Sequence, residues 1–338
     1  MNKENTPIGI VSYGLYTPAG FETAEEVAAK SGLTPDEVRA LGVVRKCKPA
    51  PEDQPIPMAV KAAKLVFERA GGIKPEEVDL VLWTGEEYKD YIAQTASIRV
   101  QEEAGCCNAW AFDLVDQGVT TLLGLRVARD MMIGDQTIKT VLLAGGTRNV
   151  DLVDYNNPDT RWMLPFSASG GAVLLRRGHD GNILGDIELT VDCEMADEIY
   201  VPGGGTEIPF KEDNLNSKIM FFQASRPEKV KKYLDRRWPQ ALADTAQKVL
   251  SGHSPDYLAL RHLSTSQRDV VLNQLGVRTE QSPALDQWGC HGTNDCLLSL
   301  ELGIKSKAVK EGSLVALVAG GIGFTYAAAL IRWGSSKE

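Results

Sequence analysis

Three apolar segments occur twice in this chain, in the same order. Val78-Asp79-Leu80-Val81-Leu82-Trp83 is echoed by Pro255-Asp256-Tyr257-Leu258-Ala259-Leu260. Lys139 to Gly146, ending Ala144-Gly145-Gly146, is echoed by Ser313 to Gly321, ending Ala319-Gly320-Gly321. Gly171 to Arg177 is echoed by Ala327 to Gly334. Each match alone is short, but three in one order point to an internal duplication. The division that this predicts is residues 1–180 and 181–338.

The repeated segments are continuous apolar runs, the pattern of strands buried on both faces. Ile8 to Tyr13 and Ala109 to Leu114 read as further strands. Helical patterns separate them. Thr34-Pro35-Asp36-Glu37 opens one with a cap residue and a first-turn proline, and others are expected over 57–70, 95–104 and 120–132. Strands alternating with helices give an α/β class. Val201-Pro202-Gly203-Gly204-Gly205-Thr206 reads as an irregular loop between the halves.

The bulk properties narrow the function. With 338 residues, 43% of them hydrophobic, the chain can bury a large core. A net charge of -9 argues against a general nucleic-acid binder and against docking on an anionic membrane. No apolar run approaches the roughly 18 residues that span a bilayer. The N-terminus lacks the apolar stretch of a signal peptide. Six scattered cysteines, with no C-x-x-C pair and no zinc-like His spacing, predict a reduced cytoplasmic protein without a structural metal.

Several segments, taken in order, resemble ketoacyl-ACP synthase III, a branch of the thiolase superfamily. Ala111-Phe112-Asp113-Leu114 is similar to the family's A-F-D-(V/L) strand, which leads to the nucleophile. Gly320-Gly321-Ile322-Gly323-Phe324-Thr325-Tyr326 resembles its G-G-G-F-T-W segment, and Gly42-Val43-Val44-Arg45 its G-I-x-x-R. Phe166 to Val173 is similar to F-G-D-G-A-G-A-A-V, and Trp288-Gly289 stands where Y-G-N-T-S-A begins. The resemblance implies a five-layered αβαβα fold with two duplicated halves, paired as a dimer. It also implies acyl-CoA or acyl-ACP as substrate or ligand, with no other cofactor. Family members condense an acyl group held on Cys with a malonyl-derived carbanion. That chemistry needs an activated thiolate, His and Asn donors and a backbone oxyanion hole.

The catalytic residues do not carry over. Counting from Ala111-Phe112-Asp113, the nucleophile position is Gly118, which has no side chain to acylate. The His position is Arg261, and the Asn position is Cys290. Where the family grips coenzyme A with Trp and Arg near the N-terminus, this chain has Asp36 and Ala40. An arginine stays protonated and cannot act as a neutral imidazole.

Other groups invite a substitute chemistry. Cys290 and His291 are adjacent and could form a thiolate–imidazolium pair, or Cys290 is a small buried hydrophobe. His262, next to the lost histidine, enters the site only if the strand end shifts, because strand residues alternate faces. Gln117 would reach the nucleophile position through a one-residue bulge, resembling decarboxylating ketosynthases; Asp116 reads more simply as a helix cap. Thr293, Asn294 and Asp295 are either pocket groups or a helix start. Gly320, Gly321 and Gly323 provide either oxyanion-type amides or a tight turn. Cys106 and Cys107 read as structural, and His179 and His253 as exposed loop residues.

The basic cluster of Arg226, Lys229, Lys232 and Arg236 is either a carrier-protein dock or a solvated helix face. The leading expectation is a synthase III-like subunit without Cys-dependent condensation. It would bind acyl thioesters, as a homodimer or beside a catalytic synthase III-like partner. The alternative is an active acyltransferase with rearranged groups.

Overall fold

The computed structural model describes residues 6–214 and 217–335. Nine strands form the main sheet: β1 (Ile8–Tyr16), β2 (Leu80–Trp83), β3 (Trp110–Asp113), β4 (Thr140–Thr147), β5 (Ser169–Arg177), β6 (Gly181–Val191), β7 (Tyr257–Leu260), β8 (Leu314–Gly321) and β9 (Thr325–Ser335). The helices are α1 (Ala24–Ser31), α2 (Pro35–Ala40), α3 (Pro55–Arg69), α4 (Ala96–Ala104), α5 (Thr120–Gly134), α6 (Pro227–Leu250), α7 (Thr265–Leu275) and α8 (Asp295–Lys305).

The duplication is visible in the strand order, β3-β2-β4-β5-β1 in the first half and β7-β8-β9-β6 in the second. In both halves the outer neighbours pair parallel, β2 with β4 and β7 with β8, and the next pairs, β4 with β5 and β8 with β9, are antiparallel. The three echoed segments fall on equivalent strands: β2 with β7, β4 with β8 and β5 with β9. Strand β6 has no apolar run to announce it. Its sequence, Gly181 to Val191, is mostly half-buried, with polar residues at Asn182, Asp186, Glu188 and Thr190.

The two half-sheets meet at a single registered pair, Gly9 with Ile183. What joins the halves is the core between the sheets. Leu122, Leu125 and Ala128 of α5 and Cys296, Leu297 and Leu300 of α8 pack against Leu82, Leu143, Ala259 and Leu317 from both halves. Each such buried leucine contributes roughly 1.5–3 kcal/mol. Helices α3 and α4 cover the outer face of the first sheet, and α6 and α7 that of the second. Five layers result. Among the described residues, no helix is long and apolar enough to cross a membrane.

This layering fixes where a site can form. Helices α5 and α8 run side by side in the middle layer, and Thr293, just before α8, ties their starts together. Its hydroxyl accepts the Thr121 amide at 2.7 Å and donates to the Thr84 carbonyl at 3.1 Å.

Candidate active site

A cavity of about 540 Å³ opens at the carboxyl ends of the strands. Ligands of open α/β sheets bind at such strand ends, and the volume lies in the range of small-molecule sites. Glu86 follows β2, Gln117 and Gly118 follow β3, Thr147 closes β4, Arg261 follows β7 and Gly321 closes β8; all line this cavity. Cys290 joins them from the turn before α8. Gly118, Arg261 and Cys290, the three residues that the resemblance sets at the family's catalytic positions, therefore line one space.

Gly118 is held where no side chain fits. A Cβ there would lie 2.6 Å from the Gly320 carbonyl oxygen and 3.5 Å from Arg261 Nη1. That carbonyl belongs to the β8–β9 ladder, opposite Tyr326, and also accepts a hydrogen bond from Arg261. Gly118→Ala is thus expected to cost about 1–3 kcal/mol, the ordinary penalty of overpacking, and to lower the urea midpoint. Gln117 takes a left-handed φ of 43° and lines the cavity beside it. An amide and a bare backbone stand at the end of this turn.

Asp116 does not cap the helix, contrary to the sequence expectation. Its carboxylate accepts from the Thr325 hydroxyl at 3.1 Å, while its own amide donates to Thr120 Oγ1 at 3.0 Å. Burial raises the Asp116 pKa.

Arg261 occupies the centre. Its guanidinium lies 5.0 Å from the Trp238 ring centroid, in cation–π range. Its Nε donates to the His262 carbonyl at 3.1 Å and its Nη2 to Cys290 Sγ at 3.4 Å. With Nη1 donating to Gly320, three of five N–H bonds are used and two stay free for a ligand.

The Cys290–His291 pair does not form. Cys290 Sγ faces Arg261 and Asp295 Oδ2, each at 3.4 Å, and burial pushes its pKa up, Asp295 adding to the shift. Burial and Asp295 thus oppose the thiolate that a cysteine nucleophile needs, and Arg261 favours it. His291 is buried, its Nε2 lies 3.1 Å from the Trp288 carbonyl, and it lies outside the cavity lining. His262 does reach the lining, but its Nε2–H donates to the Gly42 carbonyl at 2.8 Å. Burial lowers the pKa of both histidines, so both favour the neutral form.

Thr293, Asn294 and Asp295 prove to be the helix start. Asn294 donates to the Gly145 carbonyl and Ser169 Oγ, at 3.3 and 3.1 Å. Asp295 accepts the backbone amides of His291 and His262, at 2.7 and 3.1 Å. Gly320 and Gly321 belong to β8, and only Gly321 lines the cavity; Gly323, with φ 140°, makes the turn into β9.

Of the basic cluster, Arg226 and Lys229 are engaged with the buried Glu198, the Lys229 pair at 2.9 Å. Lys232 and Arg236 are exposed on α6. The opposite helical face, Lys231, Leu234 and Trp238, forms a cavity wall. At the mouth, Ala40 lines the opening while Asp36 points to solvent and pairs with Arg39. Arg161 and Trp162 supply a cation and an aromatic ring there instead. Cys106 is buried, Cys107 exposed, His253 exposed and His179 half-buried, against the expectation for His179.

The residue that sequence reasoning missed is Glu86. It is 1% exposed, and its Oε1 accepts the Thr293 amide at 3.1 Å. Among the described residues, its Oε2 has no hydrogen-bond partner. Burial raises its pKa to about 7 against the pull of the Thr293 amide and Arg261. The signal was present: a charged residue three positions after the end of a buried strand, at Trp83, stands where α/β sites form.

A five-layered fold with a cavity at this junction is the architecture of thiolase-type proteins. The solved structures agree: 3-oxoacyl-ACP synthase III from Aquifex aeolicus aligns at TM-score 0.82 with 18% identity, covering 96% of this chain and 100% of that one. The Pseudomonas aeruginosa enzyme aligns at TM-score 0.83 with 20% identity, covering 97% and 98%. Curated relatives include the β-ketoacyl-ACP synthases III of Syntrophomonas wolfei, 24% identical over 82% of each chain, and Natranaerobius thermophilus, 26% identical over 82% of this chain and 84% of its own.

Residues 112–193 match the 3-oxoacyl-[acyl-carrier-protein] synthase III family, and residues 246–333 match the C-terminal part of the same family. Together the matches cover half of the chain. The chain belongs to the ketoacyl-ACP synthase III family.

Proposed function

We propose that this protein binds acyl thioesters in the 540 Å³ cavity without ever forming an acyl-cysteine. One observation supports the reading: Gly118, Arg261 and Cys290, set by resemblance at the family's catalytic positions, line one cavity, and neither Gly118 nor Arg261 has a nucleophilic side chain. Gly118 is bare backbone, and Cys290, the sulfur in the lining, is a buried thiol whose ionisation burial and Asp295 oppose. The subunit either acts alone or supports an active relative. Support for a partner comes from β3, an edge strand that among the described residues pairs with β2 alone and carries a half-exposed Trp110.

Trp162 and Trp238 line the cavity and make binding measurable. Octanoyl-CoA is expected to quench tryptophan fluorescence saturably, and Trp238→Phe to remove most of the response. A linear, unsaturable change would refute the binding site. Gln117 in the lining favours a second reading, decarboxylation of a malonyl thioester, which loss of carbon dioxide from malonyl-CoA would reveal.

A further inference from the structure

Glu86 is a buried acid in the cavity lining that the synthase mechanism does not use. Its Oε1 is wedged between the Thr293 amide and the backbone of Gly292, where an added Cβ would collide with it. Among the described residues, the other oxygen, Oε2, is left without a partner in a residue that lines the cavity. An unpaired buried carboxyl oxygen is costly and is retained where a ligand completes it. Across the same space stands Arg261, with free N–H groups and a fixed positive charge.

We propose that Glu86 is the general base of a direct acyl transfer, from a thioester to a hydroxyl group, that needs no acyl-enzyme. This rests on the reading that the cavity binds acyl thioesters. Glu86 Oε2 takes the proton of the hydroxyl as its oxygen attacks the thioester carbonyl carbon. Arg261 stabilises the oxyanion of the tetrahedral intermediate. The carbon–sulfur bond then breaks, and the departing thiolate takes the proton back from Glu86. An alcohol gives an ester and free thiol; water gives a carboxylic acid and free thiol. No oxidant or further reactant is consumed.

The charged groups around Glu86 are Arg261 from the loop after β7, Asp295 from α8 and Asp116 from the turn before α5. Burial opposes its ionisation most, the Thr293 amide and Arg261 favour it and the two carboxyls add to the opposition, which places the group near neutrality, where a general base is most effective.

The test uses the whole protein with octanoyl-CoA in water, following released coenzyme A by chromatography between about pH 5.5 and 8.5. Release above the buffer rate is expected to rise through a single ionisation near neutrality and then level off. Glu86→Gln is expected to lower it about 100-fold while octanoyl-CoA still quenches the tryptophans. Quenching without release in the native chain overturns this inference and leaves the binding reading standing. Absence of quenching removes both. Equal release by E86Q, or a native rate without the neutral ionisation, also overturns it.

Discussion

Asp295→Ala should destabilise the protein by about 3–5 kcal/mol, read as a lower urea midpoint. The carboxyl is fully buried at the start of α8 and accepts two backbone amides, of His262 and His291, together with the Cys290 thiol. Alanine leaves both amides buried and unpaired, and each such group costs about 1–3 kcal/mol. Both segments have further anchors, since His262 is also tied to Gly42 and Cys290 pairs with the chain at Pro165 and Ser167. Asp295→Asn keeps one acceptor oxygen and should lose roughly half as much. A change under about 1 kcal/mol in D295A would show that water or backbone movement replaces the carboxyl.

The second large effect is a pH-dependent gain in stability from Glu86→Gln. The folded pKa of about 7 stands above the ordinary glutamate value of 4.5. Below the unfolded value both states are protonated and the group adds no penalty. As the pH rises from about 4.5 to 7 the unfolded chain ionises while the folded one does not, so native stability falls. Above 7 the full penalty, roughly 3 kcal/mol, persists. The glutamine that replaces Glu86 does not titrate, and its amide oxygen can still accept from Thr293. The two proteins should match at about pH 4.5 and diverge, with E86Q the more stable, by about pH 8. Parallel urea midpoints across that range would contradict the buried carboxyl. A group that costs stability at working pH fits a functional role better than a structural one.

Much of this was legible in the chain. Strands β2, β4, β7 and β8 are nearly continuous apolar runs, so both the α/β class and the duplication followed from them. Counting residues from Ala111-Phe112-Asp113 and from Asp256 brought Gly118 and Arg261 to the same cavity, because strand lengths fix where the next residue emerges. Strand β6 escaped notice because its polar residues interrupt any apolar run. Glu86 was hidden for a different reason. A carboxylate in Thr84-Gly85-Glu86-Glu87 reads as solvated loop until the fold shows that Gly292 and Thr293 close over it. Cys290 and His291 show the limit of adjacency: they are neighbours in sequence, yet one faces the cavity and the other the interior. Asp116 shows that a cap-type residue need not cap: its carboxylate accepts from the Thr325 hydroxyl instead.

Mass spectrometry of the intact chain after incubation with octanoyl-CoA tests the central claim most directly. The unmodified mass should persist under conditions where tryptophan quenching shows the site to be occupied. A stable octanoyl adduct mapped to Cys290 would contradict the account.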